Sequence, residues 1–342
     1  MTISQPIQFN VSLRPHNTFG VDCFAHAYLP VVSVEILSEI RRDATLAGMP
    51  RLVLGGGSNL LLTRDFDGLV LHMQNQGIDV VDEDDRVTRI RVQAGENWHG
   101  FVQWTLARGF YGLENLSLIP GSAGAAPIQN IGAYGVEVKD FIESVRVFDF
   151  DSGEILTLSN RECAFAYRDS IFKHRLRDRA VILDVIFALP KAWQPNLRYA
   201  DVAQELAARG ILAPTAHDIG AVIVAIRTRK LPDPARIGNA GSFFKNPVVL
   251  AEKRNALLAE YPQLVNYAQP DGRFKLAAGW LIDQCGWKGK SAGAAGVYEK
   301  QALVLVNRGG ATGKEIAMLA AAIQADVAKR FGVELEPEPV YI

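Results

Sequence analysis

The chain has 342 residues, more than one hydrophobic core usually serves, and its 49% hydrophobic and 21% charged content excludes a disordered tail or a fibre. Its 36 Lys and Arg nearly balance 37 Asp and Glu, so no global field draws it to nucleic acid or an anionic membrane, and an anionic ligand must be held by local groups. The opening Met1-Thr2-Ile3-Ser4-Gln5-Pro6 lacks a basic region before an apolar stretch, and no later apolar run approaches bilayer length, so the expected place is the cytoplasm without membrane insertion.

In chain order, apolar spacing at Val34, Leu37 and Ile40 predicts a helix, and Arg51-Leu52-Val53-Leu54 a strand. Gly68-Leu69-Val70-Leu71 and Ile90-Arg91-Val92 follow as strands. A helix then carries Phe101, Trp104 and Leu106 and ends at Gly109. Further strands are predicted at Val145-Arg146-Val147 and Val181-Ile182-Leu183, whereas 192–215 is irregular and suits a mobile insertion. Two prolines in Leu231-Pro232-Asp233-Pro234 forbid regular helix and mark a domain boundary. The clearest helix is late: Thr312 and Glu315 form a capping box, and Ile316, Leu319, Ile323, Val327 and Phe331 line one side until Gly332. A strand at Val333-Glu334-Leu335 is expected next. Mixed helices and strands make the class α+β.

The three cysteines, Cys23, Cys163 and Cys285, are far apart and lack metal-ligand spacing, so they read as small buried hydrophobes. No histidine has a partner at helical metal-ligand spacing, and no catalytic metal is expected.

Two segments are rich in small residues. Leu54-Gly55-Gly56-Gly57-Ser58-Asn59-Leu60 follows an apolar strand, where glycines let backbone amides approach a phosphate; alone, it serves equally as a tight turn. Pro120-Gly121-Ser122-Ala123-Gly124-Ala125-Ala126-Pro127 runs on into Gln129-Asn130-Ile131-Gly132-Ala133-Tyr134-Gly135 and is long for a turn. Neither is Gly-x-Gly-x-x-Gly between strand and helix, which disfavours a Rossmann fold. Two such segments could instead clasp one extended dinucleotide.

These segments, with Tyr167-Arg168-Asp169-Ser170, Gly241-Ser242-Phe243-Phe244-Lys245-Asn246-Pro247 and Leu335-Glu336-Pro337-Glu338, stand in the order found in UDP-N-acetylenolpyruvoylglucosamine reductases. Arg14-Pro15-His16-Asn17-Thr18-Phe19-Gly20 and the stretch from Ala277 to Cys285 also resemble that family, so the similarity covers nearly the whole chain. It implies a two-lobed FAD-binding module of the vanillyl-alcohol-oxidase type plus a third α+β substrate-binding domain. The expected division is 1–75 and 76–230 for the two lobes, the second with a substrate-covering insertion as in the longer family subtype, and 231–342 for the third domain and the C-terminal catalytic segment. Pro339 stands where a valine is common, which puts the terminal strand's geometry in question more than the chemistry.

The resemblance implies FAD as cofactor, held by Gly55, Gly56, Gly57, Ser58, Asn59, Leu60, Pro120, Gly121, Ser122, Gly124, Ala125, Gly132, Ala133, Tyr134 and Gly135. It implies NADPH as reductant and UDP-N-acetylglucosamine enolpyruvate as substrate, using one cleft in turn, with no obligate protein partner. Arg168, by spacing alone a surface ion pair with Asp169, aligns with the arginine that stabilises an enolate-like intermediate. Ser242, otherwise a small strand residue, matches the proton donor: against a carbanion a desolvated, oriented hydroxyl suffices. Glu338, otherwise an exposed acidic-tail residue, matches the glutamate that polarises the intermediate. Tyr167, Tyr199, Lys230 and Asn246 match substrate-binding positions. The competing readings are an FAD-linked oxidase of the same superfamily, which would lack the motifs around Ser242 and Glu338, and an inactive sugar-nucleotide or flavin-binding protein, against which the three catalytic positions together argue.

Overall fold

In the computed structural model, which describes residues 4–342, the chain folds into two compact units. The first contains residues 4–11, Ala25–Gly57 and Phe66–Arg229, and the second Ser12–Phe24, Ser58–Asp65 and Lys230–Ile342.

Phe66–Met73 is an interior strand of a four-stranded sheet in the first unit, parallel to Phe24–Val31 on one side and Arg51–Leu54 on the other, with Gln8–Ser12 at an edge. Its Leu69-Val70-Leu71 run is fully buried, as a strand covered on both faces requires. The helix Val34–Arg42 turns Ile36, Leu37 and Ile40 inward, whereas Val34 is only half-buried. Asp43 then caps a short helix, Ala44–Ala47, its carboxylate accepting from the amides of Thr45 and Leu46 at 3.0 and 3.1 Å.

The first unit also holds a five-stranded antiparallel sheet, ordered Ile155–Ser159, Ile142–Asp149, Ala180–Pro190, Val87–Gln93, Ile78–Glu83. Strict alternation along Val87–Gln93 buries Thr88, Ile90 and Val92. The helix Trp98–Ala107, capped by Asn97, sends Trp98 and Phe101 against Phe187 at ring separations of 5.9 and 5.1 Å. Within 192–215, where the pattern reads as irregular, a helix forms at Ala200–Ala208. Val202 and Leu206, four apart, pack on Ile219, Val222, Ile223 and Ile226 of the helix Ala216–Lys230, and Glu205 pairs with Arg229 at 2.9 Å.

The second unit contains an antiparallel sheet ordered Gly238–Ser242, Val304–Asn307, Ala295–Val297, Ser291–Ala292 and a smaller sheet of Val248–Val249, Phe274–Leu276 and Asn266–Ala268. The N-terminal segment Ser12–Phe24 is woven into it. Asn307 donates to the Phe19 carbonyl at 2.9 Å, and a Cβ on Gly238 would lie 2.2 Å from that oxygen. The long helix Gly313–Phe331 begins with the expected Thr312 and Glu315 capping box and ends at Gly332 in the left-handed conformation.

The strand expected at 333–335 is absent. Val333 and Leu335 are buried, but the Leu335 carbonyl accepts from the Gln324 side chain (2.7 Å) instead of a ladder partner. Pairing begins only with a bridge between Phe244 and Pro337 and resumes beyond Pro339, where Val340–Tyr341 runs parallel to Leu60–Leu61.

Candidate active site

Within the first unit the two small-residue segments meet. A Cβ on Gly55 would lie 2.4 Å from Ser122 Oγ and 3.7 Å from Ala125 Cβ, and one on Gly56 would lie 2.9 Å from Gly121 Cα. Gly57 has φ 61°, a left-handed torsion that favours glycine. The 120–135 segment is itself anchored on strand and helix ends: Trp98 N donates to Gly121 O, Ala123 N to Glu96 O and Gly124 N to Ala94 O at 2.8–3.0 Å. Gly124 is required there, because its Cβ would fall 2.4 Å from that of Ala94. Gly132–Ala133 pairs with Val136–Glu137 across a two-residue turn in which Tyr134 and Gly135 both have positive φ, 49° and 82°. Converging glycine backbones without an aspartate or glutamate in 54–60 or 120–135 suit the pyrophosphate of a dinucleotide such as FAD.

Ser58, Asn59 and Leu60 do not fold with the glycines that precede them. They belong to the second unit, where Asn59 donates to the Glu338 carbonyl at 3.3 Å and accepts from Val340 N at 2.9 Å.

Arg168 stands at φ 54° in a tight turn closed by reciprocal bonds between Ala166 and Asp169. Its guanidinium is half-buried, lies 5.4 Å over the Tyr167 ring and donates from Nη2 to the Gly132 carbonyl at 2.8 Å. Asp169 is engaged by His174 at 2.8 Å. The positive charge therefore sits on the 120–135 segment.

Ser242 ends the strand Gly238–Ser242, exposed within its unit, after a bulge between residues 239 and 242. Asn239, 2% exposed, builds the bulge: its amide donates to the Pro232 and Ile237 carbonyls and its Oδ1 accepts from Gly241 N. Gly241 has open space around it but φ 68°, so torsion explains the glycine. Phe243 and Phe244 are wholly buried, and Phe243 rests on Phe19 and Tyr341. The extended segment carrying Glu338 lies antiparallel beside them, with Glu338 N donating to Phe243 O and Lys245 N to Glu336 O at 2.8 and 2.9 Å. Glu334 and Glu336 are exposed, whereas Glu338 is half-buried. Two residues 96 positions apart, Ser242 and Glu338, are thus held on adjacent backbone segments next to the Phe243 peptide.

Of the expected substrate-binding residues, Tyr199 and Lys230 occupy helix ends. Tyr199 is the N-cap of Ala200–Ala208, its ring edge-on to Tyr134 at 5.1 Å. Asn196 ties the same segment to Gly135 O at 3.0 Å, and Asn115 donates to both Tyr134 O and Asn196 O at 3.0 Å. Burial raises the Tyr134 phenol above its ordinary pKa, and Arg227, itself lowered by burial, hydrogen-bonds to it. Lys230 is the last residue of Ala216–Lys230. Asn246 Oδ1 accepts from Ala278 N at 2.9 Å, capping the helix Ala278–Gln284, so its side-chain carbonyl has a structural partner. Among the described residues no three His, Cys, Asp or Glu gather as a metal site, and no helix is long and apolar enough to cross a membrane.

A family model described as UDP-N-acetylenolpyruvoylglucosamine reductase, C-terminal domain, matches residues 233–342, and one described as FAD binding domain matches 25–159. The UDP-N-acetylenolpyruvoylglucosamine reductase of Dechloromonas aromatica (strain RCB) is 57% identical over 336 residues, 97% of this chain and 98% of its own. That of Burkholderia mallei (strain NCTC 10229) is 58% identical over 96% of this chain and 95% of its own. The chain belongs to the UDP-N-acetylenolpyruvoylglucosamine reductase family. The crystal structure of the reductase from Thermus caldophilus, 24% identical, superposes with a TM-score of 0.69 over 98% of this chain and 99% of that one, which supports the α+β fold.

Both glycine segments, at 55–57 and 120–135, fall inside the matched FAD binding domain, and the reductase serine and glutamate motifs fall inside the matched C-terminal domain. Two residues went unread in the sequence. Asn239, between Gly238 and Ala240, and Asn130, between Gln129 and Ile131, act through buried side-chain amides whose partners are set by folding.

Proposed function

We propose that this chain reduces UDP-N-acetylglucosamine enolpyruvate to UDP-N-acetylmuramate with NADPH, in peptidoglycan precursor synthesis. The supporting observation is the bond between Glu338 N and Phe243 O, which sets a half-buried glutamate on the extended segment beside the serine. The glycine segments at 55–57 and 120–135 would hold FAD, which would supply hydride-carrier chemistry between NADPH and the enol ether. The protein's own groups do the rest.

Arg168 keeps its charge through the reaction and meets the substrate carboxylate as negative charge develops there. Ser242 then protonates the neighbouring carbon, and Glu338 polarises the same intermediate. Tyr167 packs under Arg168 at the carboxylate end. Tyr199, Lys230 and Asn246 hold the nucleotide diphosphate, with Lys230 as a point charge that serves NADPH and the sugar nucleotide in turn, so the two follow each other in a ping-pong sequence through one cleft. The helix pair Ala200–Ala208 and Ala216–Lys230 is the insertion that covers the substrate, as in the longer family subtype. Work in a reducing cytoplasm agrees with three free cysteines, two of them buried.

The purified protein should show a flavin spectrum that NADPH bleaches anaerobically and the enolpyruvyl sugar nucleotide restores. Failure of the second step with the first intact would assign the chain to a different electron acceptor.

A further inference from the structure

Three residues of the first unit hold left-handed torsions without being glycine within one hydrogen-bonded network: Asn130 (φ 46°), Tyr134 (φ 49°) and Arg168 (φ 54°). Such torsions persist where surrounding bonds over-determine them. The turn bearing Arg168 is stitched to the 120–135 segment at three points. Ser170 Oγ donates to Ile128 O at 2.6 Å, Arg168 Nη2 donates to Gly132 O at 2.8 Å, and Asn130 Nδ2 donates to Ala166 O at 2.9 Å.

Asn130 is the central stitch. It is wholly buried, and its amide is fully used: Nδ2 also donates to Glu137 Oε2 at 3.1 Å, and Oδ1 accepts from Lys139 N at 3.1 Å. Reversing the amide would set its NH2 against the Lys139 N–H, so one orientation is fixed. A side chain with no exposure to ligand therefore determines where the Ala166 carbonyl, and with it the Arg168 turn, stands on the cofactor segment.

We infer that Asn130 is a positioning residue for Arg168, locking the guanidinium to the segment that carries the cofactor. The inference rests on the reading of Arg168 given above. Removing the Ala166 anchor leaves Arg168 its charge but frees the turn, and a displacement of about 1 Å at a reacting group costs on the order of 100-fold.

The test uses the full FAD-loaded chain and four variants: Asn130→Gly, which tolerates the left-handed torsion while losing the amide, Asn130→Asp, which keeps only the acceptor, Arg168→Ala, and Asn130→Gly with Arg168→Ala. Expected for Asn130→Gly and Asn130→Asp are normal flavin content, near-normal reduction by NADPH and reoxidation by the enolpyruvyl substrate slowed by roughly 10–100-fold. The double variant should reoxidise no more slowly than Arg168→Ala alone, since one residue acts through the other. Without substrate, hydrogen exchange of the 166–170 turn should quicken in Asn130→Gly while the strand Val87–Gln93 is unchanged. Normal reoxidation in Asn130→Gly beside a slow Arg168→Ala would overturn the inference alone, as would multiplying effects in the double variant, flavin loss, or equal slowing of both half-reactions. A normal rate in Arg168→Ala would overturn the reading of the arginine and the inference together.

Discussion

Ser242→Ala separates chemistry from packing because the serine is exposed within its unit at the end of a strand. Its flanking backbone is fixed by other groups, through Phe243 N to Leu303 O at 2.7 Å and the Asn239 bulge. Deleting the hydroxyl opens no cavity, so stability should change by no more than about 0.5 kcal/mol. Loss of a positioned acid slows its own step by about 10²–10⁴-fold, roughly 3–5 kcal/mol of barrier. The kinetic effect thus exceeds the structural one several-fold, and it falls on one half-reaction only. In anaerobic rapid mixing the variant should bleach with NADPH at close to the wild-type rate and then fail to recover with the enolpyruvyl substrate. Recovery at a near-normal rate would remove Ser242 as proton donor. A melting temperature several degrees lower with both halves slowed would show that the strand end had moved.

Gly56→Ala sets a Cβ 2.9 Å from Gly121 Cα, backbone against backbone, so the two segments must part at a cost of about 1–3 kcal/mol; flavin should be lost on dilution, and full retention with unchanged melting would refute the cradle. Lys230→Ala should raise the apparent KM for NADPH and for the sugar nucleotide together, and a change in neither removes Lys230 from the site. Arg179 donates to the buried Asp149 carboxylate at 2.8 and 2.6 Å and holds its pKa down at about 2, below the ordinary 3.8. That stabilisation is complete above 3.8 and lost as pH falls through about 2, so Arg179→Met should move acid unfolding, followed by circular dichroism, to higher pH. An unmoved midpoint would mean that the pair contributes nothing.

Local rules read well in the sequence where the cause was local. Thr312, Glu315 and Gly332 bound a helix through neighbouring bonds, and the Leu69-Val70-Leu71 run signals a strand by composition alone. The positions proposed as catalytic were legible only through their resemblance to a family, because Arg168 next to Asp169 spells a surface pair, and only the fold gives Asp169 to His174 and Arg168 to Gly132. The helix Ala200–Ala208 offered only two large apolar residues, Val202 and Leu206, at helical spacing and is completed by partners on Ala216–Lys230. Nothing in the apolar Val333 and Leu335 reveals that a glutamine side chain replaces a strand partner. Nor could pattern alone show that Ser12–Phe24 and Ser58–Asp65 fold with Lys230–Ile342, far downstream of both.

That last weaving has a consequence on the ribosome. Thr63 gives its amide and hydroxyl to Ile342 O at 2.8 and 2.7 Å, across 279 residues, and Leu60–Leu61 has Val340–Tyr341 as its parallel strand. At about 5–20 residues per second the early segment emerges roughly 15–55 s before its partner exists. Throughout that wait the backbone of Leu60, Leu61 and Thr63 lacks these partners, while the surrounding parts of the first unit can already fold. The second unit therefore closes only after residues 340–342 have been made, and nascent chains paused before Val340 should be bound by chaperones through this early segment.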